Sequence, residues 1–286
     1  MYVWSKLSSA QWSDAWQERL GSLHHVSLVI TEVPGRKTIR VEAFCEKKKD
    51  SEAIAKIFGG SVRKVQMENW AAMAPDPSEP ILIRDRLVIC DAATPKALRA
   101  VAKAYAQRQI IAIPADLAFG TGHHATTATV LREITDIAAQ WNKHGRTWTV
   151  CDLGCGTGIL GIAARKLGAA KVWGCDFDPL AIKVAKGNVT RNDVDHVNFV
   201  KGDVLTWQPA QQWDLVLANI FYDVLTLSFE KIVSAMKPDG FVIVSGILKS
   251  YSEDCLKSGH AAGLEWESVL CKGGKWVTAI GRKTNT

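Results

Sequence analysis

The chain has 286 residues, 47% hydrophobic and 22% charged, a composition that describes globular material and excludes disordered or fibrous classes. No run approaches the ~18 apolar residues of a membrane span, and Met1-Tyr2-Val3-Trp4-Ser5 has neither the basic start nor the apolar core of a signal peptide, so a soluble cytoplasmic protein is expected. The net charge of +6 is uneven: residues 1–110 hold 17 Lys and Arg against 12 Asp and Glu, and the remainder 18 against 17, or +5 and +1, so the front part favours an acidic or RNA-rich partner.

Residues 1–73 read as one small α+β domain. Met1 to Leu7 forms a strand, and Ser8 or Ser9 caps a helix on which Trp12, Trp16 and Leu20 share one buried face at a spacing of four. His25–Glu32 and Thr38–Glu46 alternate apolar and polar residues on either side of Pro34-Gly35, the pattern of a hairpin. Lys47-Lys48-Lys49 fits either a weak RNA contact or a solvated face. A helix over 51–58 closes at Gly59-Gly60, and a strand follows over 62–67; the order β-α-β-β-α-β predicts a ferredoxin-like arrangement. Ala74-Pro75-Asp76-Pro77-Ser78-Glu79-Pro80 is turn-forming and opens a linker region, 74–109. Inside that region 81–89 reads as two short strands, and Thr94-Pro95 supplies a cap and first residue for a helix reaching about Ala106.

Residues 110–286 show the alternation of a doubly wound α/β fold. After a strand at Ile110–Ile113, the stretch Phe119-Gly120-Thr121-Gly122-His123-His124-Ala125-Thr126-Thr127 places a flexible backbone at a helix start, where a polar ligand can dock. His123 and His124 have no third ligand close by, so they read as loop or ligand contacts, and no metal is expected. A buried strand, Thr147–Leu153, runs into Gly154-Cys155-Gly156-Thr157-Gly158 and a helix from Ile159. A second strand, 171–175, finishes on Asp176, 22 residues after Gly154, and Asp178-Pro179 start the next helix. This is a nucleotide-binding half-fold. A dinucleotide fingerprint needs glycine at its sixth position, where Ile159 stands, so a pyrophosphate is not expected. Strands at 197–200, 213–218 and 241–246 and a closing pair at 264–270 and 276–282 leave Gly154, Asp176, Asp203 and Asn219 on the carboxyl side of one sheet, the ligand side of an open α/β fold. Asp203 is placed to bond an adenine amino group or to close a turn. The seven cysteines contain no CxxC pair and read as buried packing residues.

Asp152-x-Gly154-x-Gly156-x-Gly158 with Asp176 beyond it resembles the first motif of Rossmann-like class I S-adenosylmethionine methyltransferases. Ala118–Thr127, Asp152–Leu160, Gly174–Ala181, Ala218-Asn219-Ile220 and Ser245–Leu248 together resemble the PrmA family, the bacterial methyltransferases of the eleventh large-subunit ribosomal protein. Phe-Gly-Thr-Gly-x-His-x-Thr-Thr is the most specific of these strings, and the likeness thins before residue 60. The resemblance implies a substrate-recognition domain, a linker and a methyltransferase domain built on a mostly parallel seven-stranded sheet. It implies S-adenosylmethionine as cofactor, with methyl transfer to lysine ε-amines and an N-terminal α-amine of a ribosomal protein. It places Thr127, Gly154, Asp176 and Asn219 at the cofactor; Phe119, Thr121, Asp152, Gly156 and Asp203 are further candidates for cofactor contact, and Asn219 is either the catalytic residue or closes the strand end and binds cofactor only. Pro114-Ala115-Asp116 departs from the family's Asp-Pro-Gly, the Trp-Lys step after Asn69-Trp70 is missing, and the helix from Thr94 is longer than the usual connection. These departures bear on recognition more than on chemistry.

In this reading Asn219 offers its amide oxygen to the incoming amine, Phe221 and Tyr222 wall the site, and no general base stands out. Three alternatives share the residues. Asn219-Ile220-Phe221-Tyr222 is similar to the Asn-Pro-Pro-Tyr of nucleobase and glutamine methyltransferases, without the prolines. Another protein's lysine is a second target class, and a cofactor-binding interaction module without turnover is a third.

Overall fold

The computed structural model describes residues 2–13, 16, 20, 26–33, 37–45, 47–64, 79–92, 94–114 and 124–284. The chain divides into two compact units, 1–75 and 76–286.

In the first unit, β1 (Tyr2–Ser9), β2 (Val26–Glu32), β3 (Thr38–Cys45) and β4 (Ser61–Lys64) pair antiparallel in the order β2-β3-β1-β4, with α1 (Lys48–Phe58) between β3 and β4. Trp4, Trp16, Leu20, Ile39, Val41 and Ile54 form its core. The two indoles sit 5.7 Å apart, and each N–H is satisfied, Trp4 by the Gly59 carbonyl at 2.6 Å and Trp16 by Ser8 Oγ at 2.8 Å. The expected stripe holds for Trp16 and Leu20 but fails for Trp12, which is 56% exposed. Ala10–Trp12 is a 3-10 turn, whose three residues per turn rotate Trp12 away from the face that an α-helical spacing of four would give it.

The second unit opens with a small sheet. β5 (Ile81–Ile83) and β6 (Leu87–Cys90) form a hairpin, and α2 (Pro95–Ala104) carries the chain to β7 (Gln109–Ala112), parallel to β6. Thr94 Oγ1 accepts from Ala97 N at 3.2 Å, the cap read from Thr-Pro. The sheet is fastened by Asn192, whose side chain accepts from Ala112 N at 2.8 Å and donates to Ala112 O at 2.9 Å.

The main sheet follows α3 (Ala125–Lys143). It comprises β8 (Thr149–Leu153), β9 (Lys171–Asp176), β10 (Val197–Lys201), β11 (Trp213–Asn219), β12 (Met236–Leu248), β13 (Leu264–Lys272) and β14 (Trp276–Lys283). Its order is β10-β9-β8-β11-β12-β14-β13, parallel through β12, with β14 antiparallel to both neighbours. Crossovers run through α4 (Ile159–Lys166), α5 (Pro179–Arg191), α6 (Tyr222–Ala235) and α7 (Ser252–Ala261). Alternation along β11 divides the core: Leu215 and Leu217 face the cluster containing Leu131, Ile134 and Leu160, while Val216 and Ala218 face Phe229 and Ile232. The β10–β11 connection carries no helix. Trp207 covers the sheet there, stacked on Trp173 at 5.5 Å, with Trp213 a further 6.5 Å along.

At the amino edge of this sheet Asp214 is almost fully buried. It accepts from Arg146 at 2.9 Å, Lys237 at 2.7 Å, and Thr149 N and Oγ1 both at 2.9 Å. The chain reverses between β8 and β11, so the carboxyl edge at that junction is the crevice in which an open α/β sheet binds its ligand.

Candidate active site

β8 delivers the chain into a turn whose glycines 154, 156 and 158 have φ of 69°, 53° and 79°, a region that side chains disfavour. Gly154 N and Cys155 N both donate to Cys175 O, at 2.8 and 3.0 Å, which pins the turn to the end of β9. A Cβ at Gly154 would lie 2.2 Å from Ile220 Cγ2, so this backbone is also pressed against the residue that follows β11. Gly246 makes a second close approach: its φ is 84°, and a Cβ there would meet Ile220 O at 2.5 Å. An isolated glycine within a strand pattern signals such an approach, but the sequence does not say to what.

Asp176 ends β9 with both oxygens engaged, Oδ2 by Gly156 N at 2.9 Å and Oδ1 by Asp178 N at 3.0 Å. Burial raises its pKa, and these backbone donors hold the rise back. Asp152 is buried more deeply. Its Oδ2 accepts from Gly161 N at 3.0 Å, whereas Oδ1 is buried with no partner among the described residues. Burial, with the Asp176 charge adding to it against the Gly161 bond, pushes its carboxyl up to about 7.

Asn219, the last residue of β11, donates Nδ2 to Thr127 Oγ1 at 3.4 Å, and its Oδ1 is likewise buried without a partner among the described residues. Thr127 is fixed by the start of α3, where His124 is the N-cap, its Nδ1 accepting from Thr126 N and lying 2.7 Å from Thr126 Oγ1. Burial and then the Lys275 charge lower the His124 pKa, and its ring meets Trp276 edge-on at 5.0 Å. The ring therefore serves as a cap and packing surface.

The carboxyl edge thus brings Thr127, Asp152, Gly154, Gly156, Asp176 and Asn219 together. Asp203 follows β10 on the same edge but is exposed, and its Oδ1 accepts from Leu205 N at 2.9 Å, which closes a turn. Phe119 and Thr121 lie outside the described residues. Ile220 was not singled out from the sequence, because an aliphatic residue after a strand carries no signal of its own.

An open sheet in the order 3-2-1-4-5-7-6, with a glycine turn after its first strand and an acid closing its second, defines a class I S-adenosylmethionine-dependent methyltransferase. The donor set fits that cofactor: the oxygens of Asp152 and Asn219 that have no partner among the described residues are acceptors for ammonium and hydroxyl donors, and the glycine turn leaves room for close backbone approach. The model of one family, described as ribosomal protein L11 methyltransferase (PrmA), matches residues 8–284, and the chain belongs to that family. It is 33% identical over 226 residues to the ribosomal protein L11 methyltransferase of Listeria monocytogenes serotype 4a (strain HCC23), covering 78% of this chain and 67% of that one. To the protein of the same name from Acetivibrio thermocellus it is 38% identical over 171 residues, 60% of this chain and 52% of the other. The crystal structure of ribosomal protein L11 methylase from Lactobacillus delbrueckii subsp. bulgaricus has the same fold, with a TM-score of 0.60 at 24% identity over 73% of this chain and 100% of its own.

Proposed function

We propose that this methyltransferase acts on lysine ε-amines and an N-terminal α-amine of a ribosomal large-subunit protein, the counterpart of the L11 in its relatives' names. The observation that carries the chemistry is Asn219: its amide nitrogen is tethered to Thr127, while its amide oxygen is buried at the carboxyl edge with no partner among the described residues. That oxygen is an acceptor for an N–H of the incoming amine and would aim the nitrogen lone pair by holding its hydrogens. S-adenosylmethionine, when bound, supplies a methyl group already activated on a sulfonium.

A lysine amine must first be neutral, and its unperturbed pKa is ~10.4. An apolar mouth lowers that value by disfavouring the ammonium, and Phe221, two residues beyond Asn219, gives the mouth this character. In this reading Asp176, Gly154, Gly156, Asp152 and Thr127 hold the cofactor together with Phe119 and Thr121, and Asn219 serves both partners. Residues 1–73 recognise the protein substrate and 74–109 connect the two functions. The exposed Lys47, Lys48 and Lys49, in the part of the chain that carries +5, support a weak contact with RNA near that substrate. The nucleobase alternative is weakened by Tyr222, since one face of its ring is already covered by Tyr251 at 4.3 Å.

Incubation with methyl-labelled S-adenosylmethionine and ribosomal proteins from a strain lacking this gene, beside an Asp176→Ala control, tests the proposal. Label on L11 that the control loses is the expected result. Label on another protein moves the target, label in RNA restores the Asn-x-x-Tyr alternative, and no label supports a binding module.

A further inference from the structure

Phe221 is a large apolar residue left 62% exposed between two neighbours that are both clamped. On one side Ile220 is wedged, its side chain against Gly154 and its carbonyl against Gly246, with no room for a Cβ at either glycine. On the other, Tyr222 lies flat on Tyr251, ring centroids 4.3 Å apart and planes 5° from parallel. Tyr251 is itself set by the end of the neighbouring strand. It closes the 3-10 turn Lys249–Tyr251, whose Lys249 N donates to Lys275 O at 2.8 Å and whose Lys249 O accepts from Ser252 Oγ at 2.8 Å.

Phe221 also occupies the N-cap of α6 with no side-chain cap bond, a position where Ser, Thr, Asp or Asn would be more stabilising. An exposed ring in a rigid seat, at a local cost in helix stability, is what a contact residue requires and a packing residue does not. Its separation from Asn219 is two residues, so the ring borders the place where the acceptor amine must arrive. An aromatic face suits both states of that group, packing on the lysyl methylenes and attracting the methylated ammonium product.

We propose that Phe221 is the specificity-determining contact for the acceptor lysyl side chain, and that Tyr251, through its stack on Tyr222, is the positioning residue that presents it. This deepens the function proposed above and rests on it. The wedge and the stack act on opposite flanks of Phe221, so loss of the stack frees the ring without disturbing the glycine turn or Asp176.

The test compares Tyr251→Ala, Tyr251→Phe and Phe221→Ala in the full chain. The readouts are KM and kcat for the unmethylated ribosomal protein as acceptor, Kd for S-adenosylhomocysteine by calorimetry, and amide exchange over residues 219–225. Tyr251→Ala is expected to raise KM for the protein about tenfold and to speed exchange over 219–225, with Kd for S-adenosylhomocysteine within twofold of wild type. Tyr251→Phe, which keeps the stack, restores both. Phe221→Ala raises KM similarly, and the double variant adds little, since the two residues act as one unit. An unchanged KM in Tyr251→Ala, or a Kd that weakens as much as KM rises, overturns the inference. If wild type methylates no ribosomal protein, the functional reading fails by itself. Amide exchange then still decides the positioning role, because unchanged protection in Tyr251→Ala removes it.

Discussion

Asp152 and Asp214 are both sealed inside the second unit, and they respond to pH in opposite directions. Burial raises the Asp152 carboxyl from 3.8 to about 7, so the folded state holds its proton longer than the unfolded chain does. Its contribution to stability is complete below the unfolded value and is lost as pH rises through about 7, a change of about 4 kcal/mol at most. Asp152→Asn removes this titration and still accepts from Gly161 N. Its Tm relative to wild type should therefore climb between pH 5 and pH 8, which thermal melts across that range would check. For Asp214, burial pushes the carboxyl up, but Lys237, Arg146 and Thr149 outweigh it and hold it below the ordinary range. Stability from this group is present above the unfolded value and disappears as pH falls through the folded one. Asp214→Asn is expected to cost about 2 kcal/mol at pH 7, less than a fully buried pair because Arg146 and Lys237 keep contact with water. The deficit should shrink in urea titrations below pH 4.

The element that organises the site is the glycine turn between β8 and α4, and its geometry separates two costs of adding a methyl group. Gly145 and Gly154 have nearly the same φ, 64° and 69°, but the first opens on space and the second on Ile220. Gly145→Ala should cost about 1 kcal/mol, from backbone strain alone. Gly154→Ala should cost more, about 1–3 kcal/mol, and also weaken S-adenosylhomocysteine at least tenfold by moving Ile220. Urea melts and calorimetry on the pair distinguish the two. Much of this element was legible in the sequence: Asp178-Pro179 marks a helix start and Asp178 Oδ1 does accept from Leu180 N at 2.8 Å, while Gly154 and Asp176 stand at the ends of strands that pair as expected. Three things were hidden, each because it depends on distant partners. Nothing local tells that Trp12 leaves the stripe kept by Trp16, since a 3-10 start and an α start have the same composition. β12 begins at Met236, five residues ahead of the strand start expected at 241, because Met236 pairs with Trp213 across a register shift. The Tyr222–Tyr251 stack joins residues 29 apart in sequence, and no motif of either one names the other.

On the scale of the whole molecule, each unit owns a hydrophobic core, one built on Trp4, Trp16 and Val41 and the other on the two faces of the main sheet. A fragment of residues 76–286 is therefore expected to fold and bind S-adenosylhomocysteine within about threefold of the intact chain, a free-energy difference below 1 kcal/mol. It should methylate the ribosomal protein poorly, because the unit proposed to recognise the substrate is gone. Calorimetry and methyl transfer on the fragment check both halves, and a fragment as active as the full chain would remove recognition from residues 1–75. The same division gives the molecule two separate optical signatures. Trp173, Trp207 and Trp213 form an indole ladder against β9, with planes within 25° of parallel, and rings so arranged share their electronic excitations. The ladder should contribute a coupled circular-dichroism band that Trp4 and Trp16, tilted 49° to each other, reproduce differently. Because β9 ends on Asp176, a change in that band would let unfolding at the crevice be followed by light, without a label, while the front of the chain is still intact.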